Sequence, residues 1–390
     1  MSDTFSQDPS HMRRALDLSK RGLGKCSPNP LVGAVVINRY GDVVGTGYHQ
    51  GPGTPHAEII ALSMAGEDAL GGALYVTLEP CNHHGRTGPC VDAILEAKLS
   101  RVVVAMADPN PHVKGGGCVR LRESGVKVEL GLMEDKAKEL NRAYTKHITT
   151  GIPWFVLKIA MTVDGKTAST LGDSQWITSV NSRVQGHKLR LASGAILSGR
   201  GTLEKDDPRF SVRIPGRKEV WRPVVIADSR GTAPWSAQVF RVKERGSPTL
   251  WAVTSMALRD RLDVMRDLGV EIILCGDGPF TDLRTLASAL GSRGINHVLV
   301  EAGGRLNASV IEQDLVDEMH VFVGPLLLGG EKAHTAMDGN GWNRVAEAPR
   351  FDLRRVRRMG NDVWMQYGRR PTLEEHQDPG RVQVKGVLGG

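Results

Sequence analysis

The segment Pro55-His56-Ala57-Glu58 constrains this chain more than any other, because Glu79-Pro80-Cys81 and Pro89-Cys90 complement it later in the sequence. A histidine and two cysteines supply three ligands to a tetrahedral zinc ion and leave the fourth position for a water molecule. A zinc ion in such a site lowers the pKa of that water to ~7. Glu58, two residues after the histidine, is better suited to moving protons than to binding metal. The pattern predicts a catalytic zinc site.

The spacing of the two cysteines narrows this prediction. Zinc deaminases in general combine a His-x-Glu sequence with two cysteines, the second usually three residues after the first. Here Asn82 to Pro89, eight residues, separate Cys81 from Cys90. The alternative is a structural zinc ion, which takes four protein ligands. The candidates for a fourth ligand are His49, His83 and His84.

Apolar segments around the motif predict an α/β fold. A helix is expected to begin at His56 and another at Cys90, with the apolar strand 73–78 between them. A three-layer α/β/α arrangement brings two such helix starts together. The other elements expected in this half are a helix at 11–22 and strands at 31–37, 43–48, 101–105 and 127–130. Asn29 lies between two prolines, so its amide either faces a ligand or belongs to an ordinary turn.

The second half begins after a predicted helix at 133–147 and a linker at 149–153. An apolar strand at 154–160 contains Lys158, and lysine is rarely buried without a partner. A lysine on an edge strand is the alternative. The strand leads to Asp164-Gly165-Lys166, which could be no more than a turn. Further along, Ser179 is expected to cap a helix at 180–191.

Two strand ends in this half suit a phosphate group. The strand 195–199 leads into Arg200-Gly201-Thr202, where we expect a glycine loop flanked by arginines. The strand 297–301 is followed by Gly303-Gly304 and a helix that begins near Leu306, which predicts a phosphate cradle or a simple packing turn. The GxGxxG fingerprint is absent, so an ordinary Rossmann domain is not indicated. Strands alternating with helices, including one at 281–290, predict a mostly parallel, doubly wound sheet.

Composition limits the other possibilities. A length of 390 residues suggests two or three domains. Five widely spread cysteines favour a reducing compartment, with the cytoplasm as the default, and Cys26, Cys118 and Cys275 are expected to be buried thiols. Aromatic content of 5% argues against nucleic acid as the reason for the +7 charge, which fits a solvated surface or attraction of small anionic substrates. The sequence shows neither an apolar run of about 18 residues nor a secretory signal.

The first half resembles the deaminase domain of bifunctional riboflavin-biosynthesis enzymes. The resemblance rests on Asn29-Pro30, His56-Ala57-Glu58, Glu79-Pro80-Cys81, the long insertion before Cys90, and Asp108-Pro109-Asn110-Pro111. It implies a cytidine-deaminase-like α/β/α domain fused to an α/β reductase related to dihydrofolate reductase. It also implies that the pyrimidine-phosphate pocket is formed by Asn29, His49, His83 and Arg86. Family members often have lysine at the position of Arg86, and a planar guanidinium and a point charge are not interchangeable.

The second half resembles the reductase of the same enzymes, from about residue 153 to residue 367. The matching segments are 157–158, 164–166, 176–178, Thr202 with Asp206 and Pro208, and 301–304. The resemblance implies an NADPH site formed by Ala160, Trp176, Thr202, Asp206, Ser229, Gly303, Gly304, Arg305, Leu306, Asn307, Ala308 and Ser309. It implies a ribose-phosphate site formed by Ser174, Arg190, Phe210, Arg213 and Glu301. The role of Arg200 stays open, because many relatives lack a basic residue there.

The expected enzyme removes an amino group from a diaminopyrimidinone ribosyl phosphate and then reduces the ribosyl group to ribityl. Glu58 is the expected proton shuttle, and Lys158 and Asp164 are the candidates for acting on the sugar. The expected organisation is a deaminase domain at 1–148, a reductase domain at 149–370 and a flexible tail at 371–390, in a homo-oligomer built through the reductase. The alternatives are a zinc deaminase acting on nucleosides or nucleic acid, and a second half that binds nucleotides without catalysis.

Overall fold

The computed structural model describes residues 8–83, 88–111 and 116–370 of the chain. These residues form two β-sheets, one of five strands and one of nine. No helix among them is long and apolar enough to cross a lipid bilayer. The predicted tail at 371–390 lies outside the described residues.

The first sheet has the strand order β2-β1-β3-β4-β5. Its strands are β1 (Gly33–Ile37), β2 (Val43–Tyr48), β3 (Ala73–Val76), β4 (Arg101–Val104) and β5 (Lys127–Leu130). The helices of this half are α1 (Asp8–Ser19), α2 (Ala57–Ala65), α3 (Cys90–Glu96), α4 (Gly116–Glu123), α5 (Glu134–Leu140) and α6 (Arg142–Thr150). Strand β1 pairs antiparallel with both neighbours, whereas β3, β4 and β5 run parallel. The predicted α/β fold is confirmed.

Two glycines on β2 fix the position of helix α2. A Cβ on Gly45 would lie 2.1 Å from the carbonyl oxygen of Ala61, and one on Gly47 would lie 2.2 Å from that of Ala57. Strand and helix backbones are therefore in direct contact, which only glycine allows. This contact holds the N-terminus of α2, where His56 and Glu58 lie.

The second sheet has the order β10-β9-β8-β7-β11-β6-β12-β14-β13. Its strands are β6 (Trp154–Thr162), β7 (Ala195–Gly199), β8 (Val224–Ala227), β9 (Thr249–Val253), β10 (Glu271–Leu274), β11 (His297–Val300), β12 (Val316–Gly324), β13 (Phe351–Met359) and β14 (Asp362–Arg369). The helices are α7 (Val180–Ala192), α8 (Arg200–Asp206), α9 (Val242–Arg245), α10 (Arg259–Asp267), α11 (Leu283–Ser292) and α12 (Gly304–Glu312). The strands from β6 to β12 are parallel, and β13 and β14 are antiparallel additions.

The parallel part of this sheet is buried on both faces. Alternate residues of β7 belong to different cores: Ala195 and Leu197 pack in one apolar cluster, and Ile196 packs in the other. Because successive side chains of a strand point to opposite faces, each face of the sheet carries its own core. The predicted doubly wound, mostly parallel sheet is confirmed, although the hairpin of β13 and β14 was not predicted.

Several predicted local elements are wrong. The single helix at 133–147 breaks at Asn141, and its second part continues to Thr150, so the chain connects to β6 through residues 151–153. The glycine loop expected after β7 is instead helix α8, which begins at Arg200. The predicted helix near Leu306 is confirmed, and it begins at Gly304.

The serine cap predicted for α7 is also wrong. Ser179 occupies the N-cap position, but its hydroxyl bonds Met359 and Asp362 of the C-terminal hairpin instead of the helix backbone. The side chain therefore ties the helix to the hairpin.

Helix α6 connects the two sheets through ion pairs. Arg142 Nη2 lies 2.7 Å from Glu318 Oε2, and Lys146 Nζ lies 2.7 Å from Asp317 Oδ2, both acceptors being on β12. Ser27 of the first half adds a hydrogen bond to Asn296, with 2.8 Å between Oγ and Oδ1. The two halves thus meet along β12 and the loop before β11.

Candidate active sites

The structure brings His56, Cys81 and Cys90 together. Their ligand atoms all lie within 4.8 Å of one another. His56 Nδ1 is 3.5 Å from Cys81 Sγ and 3.1 Å from Cys90 Sγ. A tetrahedral zinc ion with ordinary Zn–N and Zn–S bonds requires N–S and S–S separations of about 3.5–3.8 Å. The donor types fit zinc, and the Cys81 separation lies in this range, whereas the Cys90 separation is about 0.4 Å shorter.

Local structure explains how the three ligands meet. His56 is the residue before α2, Cys81 follows the end of β3, and Cys90 is the first residue of α3. The backbone N–H of Cys90 donates to Cys81 Sγ at 3.3 Å. The contact with the Cys90 thiol, with His56 nearby, lowers the pKa of Cys81. Cys81 is therefore ready to bind a cation as a thiolate.

Glu58 lies beside the three ligands in the first turn of α2. It is only 3% exposed, and burial raises the pKa of its carboxyl group. Cys90 lies close enough to this carboxyl group to lower its pKa slightly, against the larger effect of burial. A buried carboxyl with a raised pKa next to a metal site has the properties of a general acid and base.

Asn29 and His49 form a pair next to His56. Asn29 Nδ2 donates to His49 Nε2 at 3.0 Å, and His49 Nδ1 lies 3.4 Å from the carbonyl oxygen of Pro55. The His49 ring meets the His56 ring edge-on, with 5.7 Å between centroids. Both ring nitrogens of His49 therefore have partners other than a metal. Among the described residues no fourth His, Cys, Asp or Glu joins the cluster, which favours the open site.

The other residues predicted for this site are either exposed or outside the described part of the chain. His83 is exposed, and Arg86 and His84 lie outside the described residues. Glu79 was not predicted to have a role, yet its buried carboxylate accepts from the N–H groups of Cys118 (2.9 Å) and Asp108 (3.3 Å). It thereby holds the loop that follows β4 against the segment carrying Cys81.

A cavity of about 370 Å³ lies in the second half. Six of its lining residues were predicted as site residues: Lys158, Ala160, Trp176, Arg190, Arg213 and Glu301. Six others were not: Thr178, Ser182, Arg183, Gly186, His187 and Phe322. The lining contains four cationic side chains and one carboxylate, so the cavity suits a ligand that carries phosphate.

Glu301 is surrounded by positive charge. Arg190 contacts it at two points, with 2.7 Å for Nε–Oε1 and 2.9 Å for Nη2–Oε2, and Lys158 Nζ lies 3.8 Å from Oε2. Burial alone would raise the pKa of Glu301, but Arg190 and Lys158 lower it to about 2. Strand β6 lies between β11 and β12, so the edge-strand interpretation of Lys158 is wrong.

Helix α7 supplies four of the six cavity residues that the sequence analysis missed. Ser182, Arg183, Gly186, His187 and Arg190 fall at one face of a helix, at spacings of one, three and four residues. Arg190 was predicted, so its helical neighbours at i−3, i−4, i−7 and i−8 were available as a signal in the sequence.

Asp164 does not line the cavity. Its exposed carboxylate accepts from the hydroxyl of Thr162 and from the N–H groups of Leu328 and Gly329. The hydrogen bonds from Thr162 and Gly329 lower its pKa to about 2. The contacts are those of a residue that fixes the turn after β6.

The other predicted cofactor residues cluster at one edge of the sheet. Thr202 and Asp206 lie in α8 after β7, Ser229 follows β8, and Gly303 precedes α12 after β11. These strands are neighbours in the order β8-β7-β11, and their carboxyl ends share an edge. Ligands of open α/β sheets bind in the crevice at that edge.

Within the run 303–309 the side chains mostly face the protein. Asn307 and Ala308 are 2% exposed, and the Asn307 amide donates to the Ala336 carbonyl at 2.9 Å. A Cβ on Gly304 would lie 2.5 Å from a carboxylate oxygen of Asp338, so a larger residue there would displace the Asp338 side chain. A ligand at this run would therefore contact the backbone at the start of α12 rather than its side chains.

The two remaining predicted residues, Ser174 and Phe210, do not line the cavity. Ser174 is half-buried in the segment before α7. Phe210 is 3% exposed, and the Arg190 guanidinium lies 5.6 Å from the centre of its ring. Phe210 therefore packs behind the arginine.

Comparison with protein families matches both halves. Residues 5–106 match the cytidine and deoxycytidylate deaminase zinc-binding region, and residues 153–365 match the RibD C-terminal domain. Riboflavin biosynthesis protein RibD of Escherichia coli is 39% identical over 368 residues, which cover 92% of this chain and 98% of that protein. The protein of the same name from Aquifex aeolicus is 38% identical over 357 residues, covering 91% and 97%.

Solved structures agree with these sequence matches. Acinetobacter baumannii RibD superposes with a TM-score of 0.83 at 35% identity, covering 94% of this chain and all of that one (100%). The Thermotoga maritima diaminohydroxyphosphoribosylaminopyrimidine deaminase/5-amino-6-(5-phosphoribosylamino)uracil reductase gives a TM-score of 0.82 at 31% identity, covering 93% and 99%. Similarity thus extends over both sheets and both sites.

Proposed function

Because the chain belongs to the RibD family of bifunctional deaminase/reductases in riboflavin biosynthesis, we propose that it performs both reactions on one ribosyl phosphate. Deamination of 2,5-diamino-6-ribosylamino-4(3H)-pyrimidinone 5′-phosphate comes first, and reduction of the ribosyl to the ribityl group follows. The product is 5-amino-6-ribitylaminouracil 5′-phosphate. The observation that carries the proposal is the presence of two separate sites, a zinc-type donor cluster and a cationic cavity, in one chain.

In the deaminase site, His56, Cys81 and Cys90 are the proposed zinc ligands. When bound, zinc acts as a Lewis acid and lowers the pKa of a water molecule to ~7. Glu58 takes one proton from the attacking water and gives it to the ring nitrogen; it then takes the proton of the new hydroxyl group and gives it to the amino group, which leaves as ammonia. Its burial beside Cys90 supports this role.

The deaminase substrate is proposed to lie next to the metal cluster. Asn29 and His49 would bind its pyrimidine, and their contact with each other and with the Pro55 segment supports a prearranged pair. His83 and Arg86 are the proposed contacts for the phosphate end, where Arg86 offers a planar fork for phosphate oxygens.

In the reductase site, NADPH supplies the hydride, and the protein orients the two reactants. Lys158 is the proposed group that polarises the sugar at the carbon that accepts the hydride. Its Nζ lies 3.8 Å from Glu301 Oε2. Arg190 donates two hydrogen bonds to the same carboxylate. Arg213, Ser174 and Phe210 complete the proposed ribose-phosphate site. The carboxylate of Asp164 accepts hydrogen bonds from the N–H groups of Leu328 and Gly329, so we propose that Asp164 supports the site indirectly by fixing that loop.

NADPH itself is proposed to lie along the carboxyl ends of β7, β8 and β11. Thr202, Asp206, Ser229 and the backbone at 303–309 line that edge, and Ala160 and Trp176 connect it to the cavity. The N-terminus of α12, with its unpaired N–H groups, suits a phosphate of the dinucleotide.

The proposal includes the domain boundaries, the oligomeric state and the cellular compartment of the protein. The deaminase domain spans 1–148 and the reductase domain 149–370, with a tail at 371–390, in a homo-oligomer formed through the reductase. Domain matches at 5–106 and 153–365 support the division. A reducing compartment, the cytoplasm, is supported by five free cysteines.

The test is a paired assay on purified, zinc-loaded protein with the diaminopyrimidinone ribosyl phosphate. We expect ammonia release without NADPH, and NADPH oxidation once it is added. Ammonia without NADPH oxidation would reject the reductase half and favour a binding module. No ammonia from this substrate, with ammonia from cytidine or deoxycytidine, would reject the pathway assignment.

A further inference from the structure

Three basic side chains of α7 form a row along the reductase cavity. Arg183, His187 and Arg190 are separated by four and three residues, so they lie one above the other on the helix surface. Arg190 is engaged by Glu301 at one end. Arg183 stacks on Trp176 at the other end, with 4.2 Å from Cζ to the ring centre, and donates to the Thr178 carbonyl at 2.7 Å. His187 occupies the middle of the row.

The contacts of His187 define its tautomer. The backbone N–H of Arg213 lies 3.3 Å from His187 Nδ1. A backbone N–H can only donate, so Nδ1 is the acceptor and Nε2 carries the ring proton. Nε2 has no hydrogen-bond partner among the described residues, and the side chain lines the cavity. A ring N–H donor is therefore available at the cavity wall.

The charges around His187 keep the ring neutral. Burial, together with Arg190 and Arg213, lowers its pKa to about 4, with a smaller opposing effect from Glu301 and a smaller lowering effect from Lys158. The cavity already contains four cations and one carboxylate. A neutral donor adds a directed hydrogen bond without a further positive charge.

We propose that His187 is a substrate-binding residue of the reductase, which donates its Nε2–H to an oxygen atom of the ribosyl phosphate. The inference rests on the reductase function proposed above. Loss of one such hydrogen bond costs about tenfold in KM, the effect of a bond worth about 1.4 kcal/mol. His187 would act on the ribosyl phosphate rather than on NADPH, because its neighbours Arg213 and Arg190 belong to the proposed ribose-phosphate site.

A purely structural role is the competing explanation, since the Nδ1 contact also anchors the segment at Arg213. Two isosteric variants separate the roles. His187→Gln places an amide N–H near the position of Nε2–H, and His187→Asn places an amide oxygen near Nδ1. His187→Ala removes both groups. An unchanged KM for NADPH in the same protein samples reports that the reductase half of each variant is folded.

The experiment measures reductase kcat and both KM values by NADPH absorbance, with the deaminated ribosyl phosphate as substrate. We expect His187→Gln to stay within about twofold of the wild type. We expect His187→Asn and His187→Ala to raise KM for the ribosyl phosphate about tenfold, with KM for NADPH and ammonia release unchanged. Normal KM in the Asn variant with a raised KM in the Gln variant would overturn the inference in favour of the anchor. Wild-type values in all three variants would also overturn it, whereas a wild type without NADPH oxidation would reject the proposed reductase function itself.

Discussion

Arg190 and Glu301 form a two-point ion pair at the wall of the reductase cavity, with N–O distances of 2.7 and 2.9 Å. A third donor of Arg190, Nη1, bonds the Ser211 carbonyl at 3.0 Å. The guanidinium is thus held in one orientation, and it fixes the carboxylate that Lys158 approaches. The pair orients Lys158 as well as any substrate that Arg190 contacts.

Arg190→Lys tests this pair. Lysine retains the charge but cannot contact both carboxylate oxygens in a plane. We expect the reductase rate to fall about 10- to 100-fold, the effect of losing one charge-assisted hydrogen bond. NADPH absorbance measures it, ammonia release should not change, and Arg266→Lys on the surface is the matched control. A normal reductase rate in Arg190→Lys would show that the two-point geometry is not required.

Lys158→Ala should abolish most of the reductase activity and leave deamination intact. Removing a group that polarises or protonates a substrate costs about 100-fold or more. Glu301 keeps Arg190 as its partner, so the variant should fold. The exposed Lys188→Ala serves as the control, and a Lys158→Ala enzyme that oxidises NADPH at the wild-type rate would remove Lys158 from the mechanism.

Cys81→Ser should lose zinc. A serine hydroxyl is a poor zinc ligand, and two remaining ligands do not complete a catalytic site. Metal analysis of the purified variant should give far less than one zinc per chain, with ammonia release lost in parallel. Cys118→Ala, in the same half but outside the donor cluster, should retain zinc. Stoichiometric zinc in Cys81→Ser would refute its assignment as a ligand.

Because the pKa of His187 is lowered in the folded protein, we expect the stability of the protein to depend on pH. Its pKa falls from the ordinary 6.5 to about 4 in the folded protein. Between these values the unfolded chain binds a proton that the folded chain does not, so this group lowers stability as pH falls from 6.5 to 4. The charged groups that face the ring are Arg190, Arg213, Lys158 and Glu301.

The check is thermal unfolding of the wild type and His187→Gln at pH 7 and pH 5. We expect the midpoint to drop less in the variant, because glutamine does not titrate. An equal drop in both proteins would show that His187 is not held neutral.

The sequence predicted those parts of the two sites whose residues belong to short motifs. His56, Glu58, Cys81 and Cys90 begin or end regular elements, so their spacing alone indicated that they converge. The partner of Lys158 was not predictable in this way. Glu301 follows β11, and only the pairing of β11 with β6 brings the two side chains together.

Other elements were missed because their patterns are weak. Strand β13 is exposed on both faces and rich in arginine, so apolar and polar residues do not alternate. Helix α8 contains Gly201 and lies after a strand, which favoured a loop. His187 and Arg183 lacked a motif, although their helical spacing from Arg190 was available.

The central claim is that one chain carries two independent sites that act in sequence. Glu58→Gln, compared with the exposed control Glu67→Gln, tests it most directly. We expect the variant to retain zinc and to release ammonia at least about 100-fold more slowly. It should therefore fail to oxidise NADPH with the diaminopyrimidinone ribosyl phosphate, yet oxidise it at the wild-type rate when the deaminated compound is supplied. Normal ammonia release, or no NADPH oxidation with the deaminated compound, would contradict the account.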